Sequence, residues 1–181
     1  MNNNQYTEQG AQDIQLSTLR QTQINWLLQK GVTPVSIIYP DAIFMARGRS
    51  DDRGFFEPTP DGEVWLAFRE DYDVVFYRPK TGEFAWETGR AFALNEEQID
   101  NPATTAFGQH LKIFGNPIDW LRHNRDGAVI VRWGDAFERL RDVPSIAIDQ
   151  SLIEIYRRSM RPTQMPKLFV LAPAKNLEMA A

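Results

Sequence analysis

Two short runs of cations hold the residue types best suited to binding phosphate. Arg122, His123 and Arg125 form one run, and Arg157, Arg158 and Arg161 form the other. A guanidinium presents a planar fork that matches phosphate and carboxylate oxygens, which an ammonium does not. Each run also falls where a helix is expected to end, and cations there complement the helix dipole. For each run taken alone the dipole reading is preferred. If both helix ends face the same way, the runs would join into one basic patch for nucleic acid or a protein partner.

Other groupings point less clearly to chemistry. Trp65, Phe68, Phe76, Tyr77, Phe84 and Trp86 are interleaved with charged residues. Such rings can stack single-stranded bases, but the same alternation describes the inner face of a half-buried sheet. Asp51-Asp52 and Asp71-Tyr72-Asp73 read as solvated loops. Ser145 and Ser151 have no histidine nearby in sequence and no Gly-x-Ser-x-Gly elbow. A Gly-rich phosphate loop is missing too. The chain has no cysteine, which excludes disulfides and thiolate metal sites, and with His110 and His123 alone a structural zinc site is not expected.

The charge is uneven. Residues 1–110 carry 9 Lys and Arg against 16 Asp and Glu, a net of −7, while residues 111–181 carry 11 against 8, a net of +3, which together give the overall −4. The acidic part disfavours nucleic acid and the basic part favours it, unless the two parts simply attract each other. No apolar run approaches the length of a membrane span. Residues 1–10 lack the basic-then-apolar pattern of a secretory signal, so a cytoplasmic location away from membranes is expected.

The elements that must position these residues follow from periodicity and punctuation. Residues 1–12 are polar and are expected to be a disordered tail. Leu16, Leu19, Trp26 and Leu27 suggest a helix over 13–30, stopped by Lys30-Gly31. Strands are expected over 42–47, 63–68, 73–78, 83–86 and 90–94, with Pro79-Lys80-Thr81-Gly82 supplying hairpin chemistry. Asn95 and Gln98 resemble a capping box for a short helix.

Beyond residue 110 the pattern becomes regular. Strands are expected over 111–114, 128–133, 145–148 and 167–171, with helices over 117–124, 135–142 and 150–160 between them. Asn116 and Pro117 form an N-cap and N1 pair. Strands with little alternation are those buried on both faces, as in a parallel sheet covered by helices. The fold class expected is mixed α/β: an N-terminal helix and antiparallel meander over 13–108, a βαβαβαβ unit with a four-stranded parallel sheet over 109–175, and a tail over 176–181.

This last unit resembles the topoisomerase–primase (Toprim) fold. The segment Leu111-Lys112-Ile113-Phe114-Gly115-Asn116-Pro117-Ile118-Asp119-Trp120-Leu121 is similar to the first Toprim motif, and Ile146-Ala147-Ile148-Asp149-Gln150-Ser151 is similar to the later Asp-x-Asp motif. Trp26 to Val32 resembles the lead-in to the Toprim region of bacterial and phage primases. The whole chain also looks like an uncharacterised primase-like family of bacterial mobile elements, through Gly89 to Leu94 and Pro117 to Leu121.

The resemblance implies a site whose key acids are absent. The catalytic Glu position falls at Gly115 and the second Asp at Ser151. Toprim chemistry needs several carboxylates converging on Mg2+, and two-metal phosphoryl transfer needs more. Asp119 and Asp149 match acids of the motifs, and Asp135 follows the second strand at the edge where open α/β sheets bind ligands. These three are the candidates for a weak Mg2+ site; in the competing reading Asp135 and Asp149 cap the helices that follow. No resident cofactor is expected. The function implied is a non-catalytic binding module of a mobile element, engaging nucleic acid or a replication protein through Arg122, Arg125, Arg157, Arg158 and Arg161. The alternatives are a metal-dependent nuclease or nucleotidyl transferase with relocated acids, and an inhibitor of a host defence complex.

Overall fold

A computed structural model describes residues 14–162. Its first element is β1 (Ser17–Thr18), which pairs antiparallel with Phe44 and Met45. The expected long helix is therefore shorter: α1 spans Gln21–Gln29. Arg20 is extended and its amide is capped by the Gln23 side chain, so the helix starts one turn after Leu16. Leu16 and Leu19 serve different cores, which one helical stripe could not do. After α2 (Pro34–Ile38) come β2 (Phe44–Ser50), β3 (Phe56–Pro58), β4 (Glu63–Glu70), β5 (Asp73–Arg78) and β6 (Glu83–Trp86).

These strands make an antiparallel sheet in the order β1-β2-β4-β5-β6, with β3 pairing on β2. The meander is as the turn residues suggested. Both its faces are covered, however. Leu66, Phe68, Val75 and Tyr77 join one core, and Trp65, Ala67, Phe76 and Ala85 join another. Phe56 of the unexpected strand β3 stacks on Phe76 with ring centroids 3.8 Å apart. Trp65 and Phe76 have no accessible surface, so they are packing material and not a platform for bases.

The remaining elements are β7 (Ala93–Leu94), α3 (Glu97–Asp100), β8 (Leu111–Ile113), α4 (Pro117–Arg122), β9 (Val129–Ile130), α5 (Ala136–Leu140), β10 (Ile146–Ile148) and α6 (Ile153–Ser159). Strand β8 pairs parallel with β10. On its other side, Ile113 makes a parallel bridge to Ala128, just before β9. Strand β9 then pairs antiparallel with β7. The expected four-stranded parallel sheet is therefore not shown: among the described residues β8 and β10 form a two-stranded parallel sheet, with a single parallel bridge from Ile113 to Ala128 beside it. The neighbour of β9 is β7, which arrives from the first part of the chain. The strand expected over 167–171 lies outside the described residues, as do the tails over 1–12 and 176–181.

Side chains alternate across this small layer. Val129 and Val131 pack with α4 in the first core, which also holds Leu27 of α1 and Phe68 of β4. Ala128 and Ile130 pack with α5 in another core, where Leu152 and Tyr156 join them. Helices therefore cover both faces of the β8 layer, α4 on one and α5 and α6 on the other, as buried parallel strands require. The core shared by Leu27, Phe68, Trp120 and Val129 ties the helix, the meander and the α/β layer together. Gly127 is the tight point. At φ +127 its Cα faces β8 so closely that a Cβ would sit 2.4 Å from the Lys112 carbonyl.

Candidate functional site

Strand β8 runs into Phe114 and Gly115, and the chain then enters α4 on one face of the layer. Strand β10 runs into Asp149, and the chain then enters a 3-10 turn (Gln150–Leu152) and α6 on the opposite face. Adjacent parallel strands whose continuations part to opposite faces leave a crevice at their carboxyl ends, the usual ligand position of open α/β folds. Gly115, Asn116, Asp119, Asp149 and Ser151 are gathered around it.

The crevice is occupied by its own side chains. One Asp149 carboxylate oxygen accepts the Ser151 amide at 2.8 Å and the Ser151 hydroxyl at 2.7 Å. The hydroxyl bond first and the Ser151 amide second hold the Asp149 carboxyl below the ordinary aspartate range, and the Gly115 amide adds to them against slight desolvation. This is an aspartate capping the turn after its strand, as one reading of the sequence had it. A Cβ on Gly115 would lie 3.0 Å from the Ser151 hydroxyl and 3.4 Å from an Asp149 oxygen. The glycine gives the Asp149–Ser151 pair its room, and a larger residue at 115 would have to displace it.

Asp119 is similarly engaged. Its two oxygens take the Asn116 side-chain amide at 2.7 Å and Arg122 at 2.6 Å, while Asn116 caps α4 by accepting the Asp119 amide. Asp135 stands after β9 as expected, but its side chain makes no cap; it pairs with Arg132 at 2.9 Å. The chain enters α5 through a 3-10 turn (Trp133–Asp135), so Asp135 lacks the extended backbone of a capping residue. Among the described residues no three His, Asp or Glu side chains gather as a metal site.

The arginines separate into two groups. Arg122 donates to the Lys30 carbonyl and to Asp119. Arg125 lies against Trp120, donates to the carbonyls of Ser36 and Asp41, and is lowered from its ordinary pKa by burial. Both therefore tie α4 to α1 and α2. Arg157, Arg158 and Arg161 are exposed at the end of α6, on the opposite face, with no ion-pair partner among the described residues. The two runs do not merge into one patch.

Two functional-looking carboxylates were not anticipated. Asp73, read as part of a solvated loop, is 5% exposed. Its oxygens accept the amides of Val74, Thr88, Arg90 and Ala91. Glu70 ends β4 and accepts the Asn95 amide at 3.0 Å. Burial pushes its carboxyl up to about 7, helped by the nearby charges of Glu96 and Asp71 and opposed by backbone amides of Asn95 and Glu96. Asn95 is not the cap of α3. It sits at φ 59, and its side chain donates to the carbonyls of Arg125 and Gly127. Only a signal for which strand ends meet which loop could have revealed these contacts, and the sequence holds none.

Glu70 opens onto a groove of about 1160 Å³ between α2, the β4–β5 turn and α3. Tyr39 and Tyr72 stand in its wall with most of their surface exposed, 68% and 76%.

Comparison with family models, with curated proteins and with solved structures finds no match. What the site can do rests on its own geometry.

Proposed function

We propose that this chain is a non-catalytic, Toprim-like binding module that engages nucleic acid through the arginines ending α6. One observation carries the reading: at the strand tips, where metal-dependent relatives of this pattern would converge acids, Gly115 leaves space that the Asp149–Ser151 pair fills. A carboxylate that already accepts two hydrogen bonds, with a neutral hydroxyl beside it, makes a poor grip on a strongly hydrated dication. The scaffold of parallel strand tips supports the resemblance to Toprim domains, and the mobile-element and DNA-processing setting is part of the same proposal. A replication protein as the partner is the outcome if nucleic acid is not bound. Nothing in the geometry favours a nuclease with relocated acids or a plug for a defence complex.

Fluorescence anisotropy with a labelled oligonucleotide tests this. Binding is expected at low salt, weakening as salt rises with a logarithmic slope of about 2 to 3, since about three phosphates would be neutralised. Arg157→Ala with Arg158→Ala should reduce that slope by about 2 and affinity by about tenfold or more at moderate salt. Arg122→Ala should leave the slope unchanged because that side chain is spent on Lys30 and Asp119. Absence of binding at low salt, or a slope indifferent to the α6 pair, removes the nucleic-acid reading.

A further inference from the structure

The groove beside Glu70 is lined from α2, the β4–β5 turn, α3, the end of α4 and Arg139 of α5; no residue of α6 lines it, and the reading above does not use it. Its lining holds six carboxylates and four guanidiniums. Two of those cations are committed internally. Arg139 pairs with Glu96 and Asp100, and Arg125 is spent on the carbonyls of Ser36 and Asp41. Arg69 lies 4.5 Å from the Phe44 ring centroid. Arg90 is the fourth. On the acidic side, Asp41, Glu70, Asp71 and Glu97 have no ion-pair partner among the described residues. The wall is also aromatic and apolar. Val35 of α2 and Tyr39, the extended residue just after it, line it together with Tyr72, and all three are more exposed than buried.

We propose that this groove is a docking site for a basic segment of a partner protein, one that places lysine or arginine side chains among these carboxylates and tyrosine rings. Three features fix the occupant. The lining holds two more carboxylates than guanidiniums, so a cation is complementary and an acidic or phosphorylated segment is not. Exposed tyrosine faces attract ammonium and guanidinium groups and give rigid contact area. The space is open and exceeds that of an ordinary small-molecule pocket, which suits an extended chain with apolar side chains against Val35.

Glu70 makes the docking sensitive to pH. It faces Asp71 from its own turn, Glu96 just before α3 and Arg125 from the loop after α4. Near neutrality it exchanges its proton, so a cation seated beside it is favoured once that proton has left. Affinity should therefore rise with pH.

Calorimetric titration of the full chain with an acetylated, amidated hexapeptide alternating lysine and leucine tests the proposal. Its glutamate-for-lysine counterpart and spermidine serve as comparisons. The lysine peptide should bind, about tenfold more tightly at pH 8 than at pH 5.5, one unit of linked pKa being worth a factor of ten. Glu70→Gln should remove most of that difference. Asp71→Asn with Glu97→Gln, both on the exposed rim, should weaken binding about tenfold at either pH while leaving the circular dichroism unchanged. Arg157→Ala should have no effect. The proposal is overturned if the lysine peptide does not bind, if the glutamate peptide binds as well, if spermidine binds as tightly as the peptide, or if the rim variant binds like wild type.

Discussion

Asp73→Ala is expected to cost about 4 kcal/mol of folding stability, the largest effect expected of any single polar substitution among the described residues. The carboxylate is buried and accepts four backbone amides, three of them from the segment Thr88 to Ala91. That segment leads directly into Phe92 and β7, the strand that joins the meander to the α/β layer. Alanine leaves the donors with no partner, and each unsatisfied buried amide costs about 1–3 kcal/mol before relaxation and water entry recover part of it. At roughly 2–4 °C per kcal/mol for a domain of this size, the melting temperature should fall by about 10 °C or more. Urea unfolding followed by tryptophan fluorescence measures it directly. A loss below about 1 kcal/mol would mean that the 88–91 segment holds its shape without this anchor.

Glu70→Gln should act in the opposite direction and only above mildly acidic pH. In the unfolded chain this carboxyl titrates near 4.5; in the fold it titrates near 7. Between those values the folded state retains a proton that the unfolded state has released. Stability attributable to this group is therefore full below pH 4.5 and is lost as pH rises through 7. The loss is bounded at about 3 kcal/mol by the size of the shift, and solvent reaching the groove reduces it to about 2 kcal/mol. Glutamine keeps an oxygen for the Asn95 amide and has no charge to bury. The variant should match wild type at pH 5 and exceed it by about 1–2 kcal/mol at pH 8. Denaturant midpoints across this range check it. A difference between the two proteins that does not vary with pH would show that Glu70 is not desolvated.

What the sequence made legible was local. Asp73–Arg78 and Glu83–Trp86 follow directly from alternation and the Pro79 to Gly82 turn. Asn116 and Pro117 start α4 because a side-chain acceptor and a fixed φ are local properties. The cap by Asp149 is of the same kind. What stayed hidden depends on contacts far apart in the chain. Asn95 looks like a helix cap, yet its side chain reaches carbonyls 30 and 32 residues away. Asp73 looks solvated beside Asp71 and Tyr72, yet it folds a loop 15 to 18 residues downstream around itself. Arg125 looks like a dipole-complementing cation, but its φ of 60 turns it inward onto Ser36 and Asp41. Strand β7 carries no mark that it will flank β9 antiparallel, because a two-residue strand has too little pattern to state its partner.

The same division applies to the candidate site. Gly115 and Ser151 stand out in sequence as departures from a pattern of acids. That they compensate each other, the missing side chain of one making room for the hydroxyl of the other, is visible only in three dimensions.

Calorimetric titration with Mg2+, of wild type beside Asp149→Ala, tests that arrangement most directly. If Asp149 is spent on Ser151 and Gly115, both proteins should give only heats of dilution up to millimolar ion. Saturable binding by wild type that Asp149→Ala abolishes would contradict the account, because it would mean that the strand tips still hold a metal.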